Sequence, residues 1–232
     1  MRLRTRSSRG GARPRAMFCA VGSALRQGDR ERALDVGDLA PTWHGQLERW
    51  LAEATAAGVA EPTAMVLATA DEAGAPSART VLLKDLSAGG LAFYTNLGSR
   101  KGQDIAANPR AAIVFPWFAI GRQVAATGVV EPVEADAADA YFASRAYRSQ
   151  ISAHASRQSR VIRDRASLEA AHAEFSERYS ESRAVPRPTD WGGFRVLPSA
   201  VEFWHGRADR LHDRLRFRLD GDGDWLVERL SP

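Results

Sequence analysis

The stretch AMVLATADEAGAPSARTVLLKDLSAGGLAFYTN, residues 64–96, decides the fold class of this chain. Short runs rich in Val, Leu and Phe alternate in it with clusters of Gly, Pro, Ser and Asp, which are typical of turns. This spacing predicts three antiparallel strands joined by hairpins.

The same pattern continues along the chain and is interrupted by a few helical stretches. The predicted strands cover residues 64–70, 77–85, 91–96, 111–117, 122–133, 192–198, 200–206, 208–220 and 224–230. The predicted helices cover residues 43–58, 99–108, 134–146 and 164–180, with Ser99 as an N-cap and Asn108-Pro109 as a stop. Because long helices do not separate the strands, we expect an α+β protein with a closed or sandwiched antiparallel sheet and a helical insertion.

Charge and composition describe an ordinary globular chain with a basic beginning. The 232 residues carry a net charge of +4, but residues 1–16 hold six arginines and no acid, so the rest is slightly acidic. We expect residues 1–25 to be a disordered basic extension and residues 26–232 to form the folded domain. A nucleic-acid or membrane-binding arm, a signal or transit peptide, and a true start at Met17 are the alternatives.

Several functional classes are excluded by missing patterns. The single cysteine, Cys19, allows no internal disulfide and no cysteine zinc site, and no apolar run approaches the roughly 18 residues of a membrane span. The chain lacks a dinucleotide-binding glycine motif, a Walker loop, HExxH and GxSxG. Rossmann dehydrogenases and common hydrolases are therefore not expected.

Cations and hydroxyls gather at strand ends and at the start of one predicted helix. Arg79 and Lys84 flank an apolar strand, and FYTNLGSRKG ends another strand before opening a helix. Free N–H groups at a helix start, a hydroxyl and two cations together fit a phosphate. Ordinary capping of an exposed helix is the alternative.

Two further segments carry cations. In DAYFASRAYRSQ, Tyr141 and Arg145 are four residues apart on one predicted helical face, with Ser149 just beyond, which fits a second phosphate. In RLHDRLRFR a strict alternation predicts one strand face formed by Arg210, His212, Arg214, Arg216 and Arg218. An ordinary solvated helix and strand are the alternatives. Asp213 falls on the apolar face, where we expect it to pair with an arginine.

Taken in order, these segments resemble the pyridoxine/pyridoxamine 5′-phosphate oxidase family over about residues 34–232. The strings that carry the resemblance are RTVLLK, FYTNLGSRKG, FPW, RQV, YFASR, SRQS, WGGFRV, VEFW, RLHDR and ERLSP. The resemblance implies a split β-barrel with peripheral helices, which forms a homodimer with FMN at the interface.

The resemblance also implies roles for individual residues. The implied FMN-binding residues are Arg79, Thr80, Val81, Leu82, Leu83, Lys84, Tyr94, Thr95, Ser99, Arg100, Lys101, Gln123, Gln158, Ser159, Trp204 and Arg214. The implied substrate-binding residues are Lys84, Tyr141, Arg145, Ser149, Arg210, His212 and, by counting back from Leu34, Arg26. Arg210 and His212 are the implied catalytic residues, and no metal is implied.

The reaction implied is oxidation of pyridoxine or pyridoxamine 5′-phosphate to pyridoxal 5′-phosphate in the cytoplasm. Hydride leaves C4′ for FMN, O₂ yields H₂O₂, and the amine also yields NH₃. No nucleic acid or membrane partner is expected.

The chain departs from the family pattern at three positions. Asp29 stands where the family has a lid tyrosine, and Tyr147 and His154 replace the usual Arg and Trp. The segment with Tyr147 and His154 partly resembles the phenazine-biosynthesis branch, so a phenazine-precursor enzyme stays open as an alternative, as does a non-catalytic flavin-binding or cofactor-binding split barrel.

Overall fold

A computed structural model of the chain describes residues 33–232. The predicted basic extension, the domain boundary after residue 25, and Arg26 and Asp29 lie outside the described residues.

Within the described residues, nine strands pair in an antiparallel sheet whose main path is β2-β1-β5-β6-β7-β4-β3; off this path, β8 pairs with β7 and β9 pairs with β8. The strands are β1 (Ala64–Ala70), β2 (Pro76–Leu82), β3 (Asp85–Ser87), β4 (Gly90–Asn96), β5 (Arg110–Trp117), β6 (Arg122–Pro132), β7 (Trp191–His205), β8 (Asp213–Leu219) and β9 (Trp225–Arg229). This architecture confirms the predicted fold class. Alternate residues of β1 and β5 are buried, as expected for strands with one face on a core.

Strand β7 pairs with two different strands along one edge. Its first part, from Trp191 to Val196, pairs with β4, whereas its last part, from Ala200 to His205, pairs with β8. The other edge of β7 pairs with β6 through a register shift between Thr127 and Gly128. A Cβ at Gly128 would lie 1.9 Å from the Leu197 carbonyl oxygen, so only glycine fits there.

This division corrects one prediction. Residues 192–198 and 200–206 were expected to be two strands, but they form the single strand β7, because the irregularity accommodates Pro198. The predicted strand 77–85 is also divided. It ends at Leu82 as β2, and Asp85 begins the short strand β3.

Helix α1 (Trp43–Ala56) covers the main core. Thr42 caps it by accepting a hydrogen bond from the Gly45 N–H, and Leu47 and Trp50 are buried. The Trp50 ring meets Phe203 of β7 edge-on at 5.2 Å between centroids. Helix α2 (Arg100–Ala107) begins at Ser99, which confirms the predicted N-cap.

Three more helices form the insertion between β6 and β7: α3 (Ala135–Ser144), α4 (Tyr147–Ala155) and α5 (Arg165–Arg178). They enclose a second, smaller core of Phe142, Ile151, Val185 and Trp191. The predicted helix 134–146 is too long at its end, because Arg145 is extended (φ −72°, ψ 147°) and α4 starts two residues later. Tyr141 and Arg145 therefore do not share one helical face.

The predicted strand 208–220 is wrong in its first part. Residues Ala208–Arg210 form a 3₁₀ turn with φ of 55° at Asp209 and 61° at Arg210, and β8 starts only at Asp213. Arg210 and His212 thus lie outside the strand alternation. Asp213 does pair with an arginine, since Arg229 donates to its Oδ1 at 2.8 Å.

Candidate active site

A cavity of about 880 Å³ opens where β2, β4 and the helical insertion meet. Its lining comes from the second half of β2, the end of β4, the start of α2, the α3–α4 junction and the loop after α4. Of the described residues that line it, five are cations and none is acidic. The cations are Arg79, Lys84, Arg100, Lys101 and Arg145. Such a cavity favours an anionic ligand.

A buried carboxylate behind the cavity organises its first group of cations. Asp104 of α2 is 3% exposed and accepts hydrogen bonds from Thr69 at 2.7 Å and Ser77 at 2.6 Å. Its Oδ1 lies 3.2 Å from Nε of Arg100, and its Oδ2 lies 3.7 Å from Nη2 of Arg79. Burial alone raises the pKa of Asp104, but the hydrogen bonds from Ser77, Thr69 and Arg100 outweigh it and the pKa falls below 3.8. The carboxylate is therefore ionised and orients both guanidinium groups.

Lys101 is buried beside this group and has no acidic hydrogen-bond partner among residues 33–232. Its ammonium group donates to Thr95 at 3.1 Å, Ser99 at 3.3 Å and Gln158 at 2.7 Å, all neutral oxygens. Burial, and then the charge of Arg79, lower the pKa of Lys101 to about 8. An anion that binds beside this poorly hydrated ammonium group stabilises its charged form.

The loop after α4 closes over the start of α2. Ser159 adopts a positive φ of 71°, and its hydroxyl accepts a hydrogen bond from the Arg100 N–H at 3.1 Å. At the same helix start, Gly102 is required because a Cβ would lie 2.0 Å from the Leu97 carbonyl oxygen. Arg100 and Lys101 therefore lie together at one end of the cavity, where the sequence predicts a phosphate site.

A shelf of aromatic rings separates this end from a second cation. Tyr94, Tyr141 and Trp191 lie nearly parallel, with centroids of Tyr94 and Tyr141 4.0 Å apart. Arg145 lies over the Trp191 ring at 4.8 Å, and its Nη1 is buried without a hydrogen-bond partner in the described part of the chain. Burial lowers the pKa of Arg145 below its ordinary value.

Three strands carry a separate row of predicted residues that does not line this cavity. In the pairing register, Gln123 of β6 lies opposite Trp204 of β7, which lies opposite Arg214 of β8. The His212 ring packs on Trp204 at 4.7 Å between centroids. We call Gln123, Trp204, His212 and Arg214 the strand cluster.

Most members of the strand cluster are already held by neighbours. Arg214 forms a bidentate pair with Glu202 at 2.7 and 2.9 Å and donates to the Ser231 carbonyl at 2.9 Å. His212 Nδ1 accepts the Arg207 N–H at 3.1 Å, which assigns the ring proton of the neutral imidazole to Nε2. Arg210 is exposed beside them.

The cavity brings together most of the residues that the sequence predicts for the site. Those it contains are Arg79, Thr80, Val81, Leu82, Lys84, Tyr94, Thr95, Arg100, Lys101, Tyr141, Arg145, Ser149, Gln158 and Ser159. Ser99 lies just behind it, bonded to Lys101, whereas the Leu83 side chain is buried in the main core. Gln123, Trp204, Arg210, His212 and Arg214 lie elsewhere on the chain, and Arg26 is outside the described residues.

Sequence reasoning missed four polar or aromatic lining residues: Asn96, Ser152, Ser156 and Trp191. Asn96, Ser156 and Trp191 did stand inside quoted strings, but nothing local marked them as lining residues. Residues 33–232 contain no group of three His, Cys, Asp or Glu side chains placed to hold a metal ion. Within the same residues, no helix has the length and apolar character needed to cross a bilayer.

Comparison with known proteins was made by sequence and by structure. A family model described as pyridoxamine 5′-phosphate oxidase matches residues 51–179, and one described as the pyridoxine 5′-phosphate oxidase C-terminal dimerisation region matches residues 191–232. Among curated proteins, the pyridoxine/pyridoxamine 5′-phosphate oxidase of Salinispora arenicola is 53% identical over 206 residues, which is 87% of this chain and 93% of the relative. The enzyme of that name from Streptomyces avermitilis is 49% identical over 90% of this chain and 96% of the relative.

Among solved structures, PhzG from Burkholderia lata in complex with tetrahydrophenazine-1-carboxylic acid is similar, with a TM-score of 0.80 and 34% identity. The likeness covers 86% of this chain and 98% of PhzG. An FMN-binding protein from Nostoc punctiforme, with a TM-score of 0.65 and 18% identity, shares the fold. With both family models matched in order and half of the residues shared with curated relatives, the chain belongs to the pyridoxine/pyridoxamine 5′-phosphate oxidase family.

Proposed function

We propose that this protein oxidises pyridoxine 5′-phosphate and pyridoxamine 5′-phosphate to pyridoxal 5′-phosphate, with FMN as cofactor and O₂ as the final acceptor. The observation that carries the proposal is one cavity with two separate groups of cations, divided by an aromatic shelf. Two phosphoesters and two flat rings are the ligands that such a cavity fits.

The residues at the α2 end fit the phosphate of FMN. Among the described residues Lys101 donates to neutral oxygens, Arg100 opens a helix, and Asp104 holds Arg79 and Arg100 in place from behind. An incoming phosphate dianion would compensate the buried ammonium and accept charge-assisted hydrogen bonds from these side chains.

The residues beyond the aromatic shelf fit the phosphate of the substrate. Arg145 keeps an unpaired Nη1, and Lys84, Tyr141 and Ser149 line the same cavity. Because this clamp would be remote from C4′, its binding energy would position the reacting carbon without touching it.

When bound, FMN supplies the acceptor of two electrons, which pass on to O₂ to give H₂O₂, while the imine formed from the amine is hydrolysed with release of ammonia. The protein's own residues orient the substrate and exclude water from the site. His212, with its proton on Nε2, donates to the substrate ring, and exposed Arg210 adds a charge beside it.

The proposal includes a homodimer in which each active site combines two chains. The strand cluster does not line the cavity of its own chain, and residues 191–232 match a region described as dimerising. A partner chain that presents its strand cluster to this cavity would complete the predicted set of FMN and substrate contacts. A cytoplasmic location stays a prediction of the sequence.

The first experiment tests cofactor and reaction together. The purified protein is expected to show a flavin spectrum after incubation with FMN, and to consume O₂ and form H₂O₂ with either phosphorylated substrate. The variant Arg145→Ala should raise KM for pyridoxamine 5′-phosphate more than tenfold, because a charge-assisted fork is lost. Arg148→Ala, an exposed residue three positions along, is the matched control and should keep the wild-type KM. A protein that stays colourless, or that binds flavin without turnover, contradicts the proposal.

Subunit complementation tests the shared site. Chains with Arg145→Ala should form homodimers of low activity, and so should chains with Arg214→Ala. Mixed and refolded together, they should recover about a quarter of wild-type sites, because half of the dimers then hold one intact site. If mixing restores nothing, the cavity and the strand cluster do not act across a dimer.

A second candidate function is oxidation of a tricyclic phenazine precursor. The likeness to PhzG, and Tyr147 and His154 in the α4 segment, favour it. Parallel assays with tetrahydrophenazine-1-carboxylic acid and pyridoxamine 5′-phosphate decide between them. We expect the phosphorylated substrate to react faster, since a second phosphate matches Arg145 and Lys84.

A further inference from the structure

Arg145 is a half-buried cation held by aromatic faces. Its guanidinium carbon lies 4.8 Å from the centroid of Trp191 and 5.6 Å from that of Phe142. Its Nη1 is buried and lacks a hydrogen-bond partner within the described residues. Leaving a charged donor unpaired in this way costs free energy, unless a ligand regularly supplies the partner.

Other arginines of the chain show the usual alternative. Arg214 uses Nε and Nη2 on the carboxylate of Glu202, and Arg79 donates to Thr69 and Ser77 beside Asp104. In both cases protein groups occupy the N–H fork. A carboxylate beside Arg145 would do the same and would also repel a phosphate.

An aromatic face stabilises a guanidinium without using its N–H groups. The ring contacts the flat face of the cation, whereas the five N–H donors point outward in the plane. Contact with Trp191 therefore offsets part of the desolvation of Arg145 and leaves the fork free for a phosphate.

Trp191 is itself fixed in place. It is 5% exposed. Its backbone N–H donates to the Pro188 carbonyl at 3.1 Å, and its backbone carbonyl accepts a hydrogen bond from the Arg187 side chain at 2.5 Å. Its ring meets Phe142 edge-on at 5.0 Å and lies parallel to Tyr94 at 5.6 Å. A rigid ring restricts the conformations of the arginine that it contacts.

We propose that Trp191 is a positioning residue that holds the Arg145 fork toward the substrate phosphate and so sets the preference for phosphorylated over unphosphorylated substrates. This inference rests on the proposed function. It makes Trp191 act through Arg145 rather than through the reacting carbon, so its effect depends on the presence of a phosphate on the ligand.

The test is a double-mutant cycle on the FMN-loaded enzyme, with pyridoxamine 5′-phosphate and pyridoxamine as paired substrates. Trp191→Leu should lower kcat/KM for the phosphorylated substrate about tenfold, mainly through KM, because a desolvated cation–π contact is lost. The change for pyridoxamine should stay below about twofold, because that substrate has no phosphate for the fork. Trp191→Phe keeps a smaller π face and should lose about threefold.

In an Arg145→Ala background, Trp191→Leu should have no further effect on the phosphorylated substrate. Phe175→Leu is the matched control: Phe175 packs on the same small core and contacts Arg178 at 5.1 Å, but it does not line the cavity. It should leave the ratio of the two substrates unchanged. If Trp191→Leu does not fold, Trp191→Phe takes its place in the double-mutant cycle.

Several results would overturn the inference while the proposed function stands: equal losses for both substrates, additive losses in the cycle, or an unchanged KM. If the wild-type protein instead shows no turnover, the proposed function fails and titration of the FMN-loaded protein with pyridoxal 5′-phosphate replaces the assay. Trp191→Leu must then weaken that binding about tenfold, and equal affinity rejects the inference.

Discussion

The ammonium group of Lys101 lies 2.7 Å from Oε1 of Gln158, a neutral amide in the loop after α4. Its other two hydrogen-bond acceptors in the described chain, Thr95 and Ser99, are neutral hydroxyls. Burial, and then the charge of Arg79, lower the pKa of Lys101 to about 8, because neutral acceptors offset the loss of hydration less than a carboxylate would.

Lys101 is expected to make FMN binding depend on pH. In the free protein Lys101 is protonated below pH 8 and neutral above it, whereas a bound phosphate dianion raises its pKa. Binding above pH 8 therefore takes up a proton. We expect the affinity for FMN to be insensitive to this group below pH 8, and to fall above it by up to about tenfold per pH unit. Quenching of flavin fluorescence between about pH 7 and 9.5 measures this.

Two variants test whether Lys101 causes the loss of FMN affinity above pH 8. Lys101→Gln should bind FMN more weakly and lose the decline above pH 8, whereas Lys84→Gln should keep the decline, since Lys84 lines the cavity but is exposed. An unchanged affinity of the wild-type protein up to about pH 9.5 would show that Lys101 does not contact the phosphate.

Asp104 is expected to contribute most of the stability of the cavity floor. Asp104→Asn removes a 3%-exposed charge that pairs with Arg79 and Arg100, so the free energy of unfolding should fall by about 3 kcal/mol at pH 7. The folded pKa of this carboxyl is lowered, so its contribution is complete above the unfolded value of 3.8 and is lost as pH falls further. Urea unfolding at pH 7 and pH 3.5 measures both effects.

Asp71→Asn is the matched control for Asp104. Asp71 is 38% exposed and lies 3.6 Å from Arg100, and its amide replacement can still accept the N–H groups of Ala73 and Ala75. A loss below about 1 kcal/mol is expected. Equal losses in the two variants would show that burial of Asp104 has no energetic consequence.

Local patterns along the chain predicted the sheet and the start of α2, because alternation, turn clusters and a capping serine act over a few residues. They did not predict the break at Arg145, since its extended conformation depends on packing over Trp191, 46 positions away. Pro198 was read as the end of a strand because the irregularity that accommodates it lies at Gly128 on β6.

The site shows the same limit. Lys101 and Arg145 were found because a cation at a helix start or a helix end is a local signal. Trp191 stands in the string WGGFRV, yet it was missed as a lining residue because its contact with Arg145 joins distant positions of the chain. The alternation in RLHDRLRFR placed Arg210 on a strand, yet the left-handed backbone at Asp209 and Arg210 ends that regularity.

Asp213 is expected to fasten the first described residues to β8. Its Oδ2 accepts the Leu34 N–H at 3.0 Å, and its Oδ1 accepts from Arg229, which also donates to the Leu34 carbonyl at 2.9 Å. Asp213→Ala should lower the free energy of unfolding by about 1–3 kcal/mol and speed hydrogen exchange at Leu34. Asp209→Asn, exposed and in a conformation that asparagine tolerates, should change neither. Slow exchange at Leu34 in Asp213→Ala would show that this contact is dispensable.

Gly102 tests whether the start of α2 must keep its present geometry for the cofactor to bind. A Cβ there would lie 2.0, 2.6 and 3.0 Å from three backbone atoms of Leu97, which cannot turn aside as a side chain would. Gly102→Ala must therefore displace the turn that holds Ser99 and, with it, Arg100 and Lys101, at a cost of about 1–3 kcal/mol. The nine-stranded sheet does not depend on this turn, so the variant should still fold, as circular dichroism can verify. Its affinity for FMN should fall at least tenfold, because Arg100 and Lys101 leave the positions in which they would bind the phosphate. Gly221→Ala, where a Cβ meets nothing within 4 Å, should bind like the wild type. A folded Gly102→Ala variant with normal affinity would mean that FMN is held elsewhere.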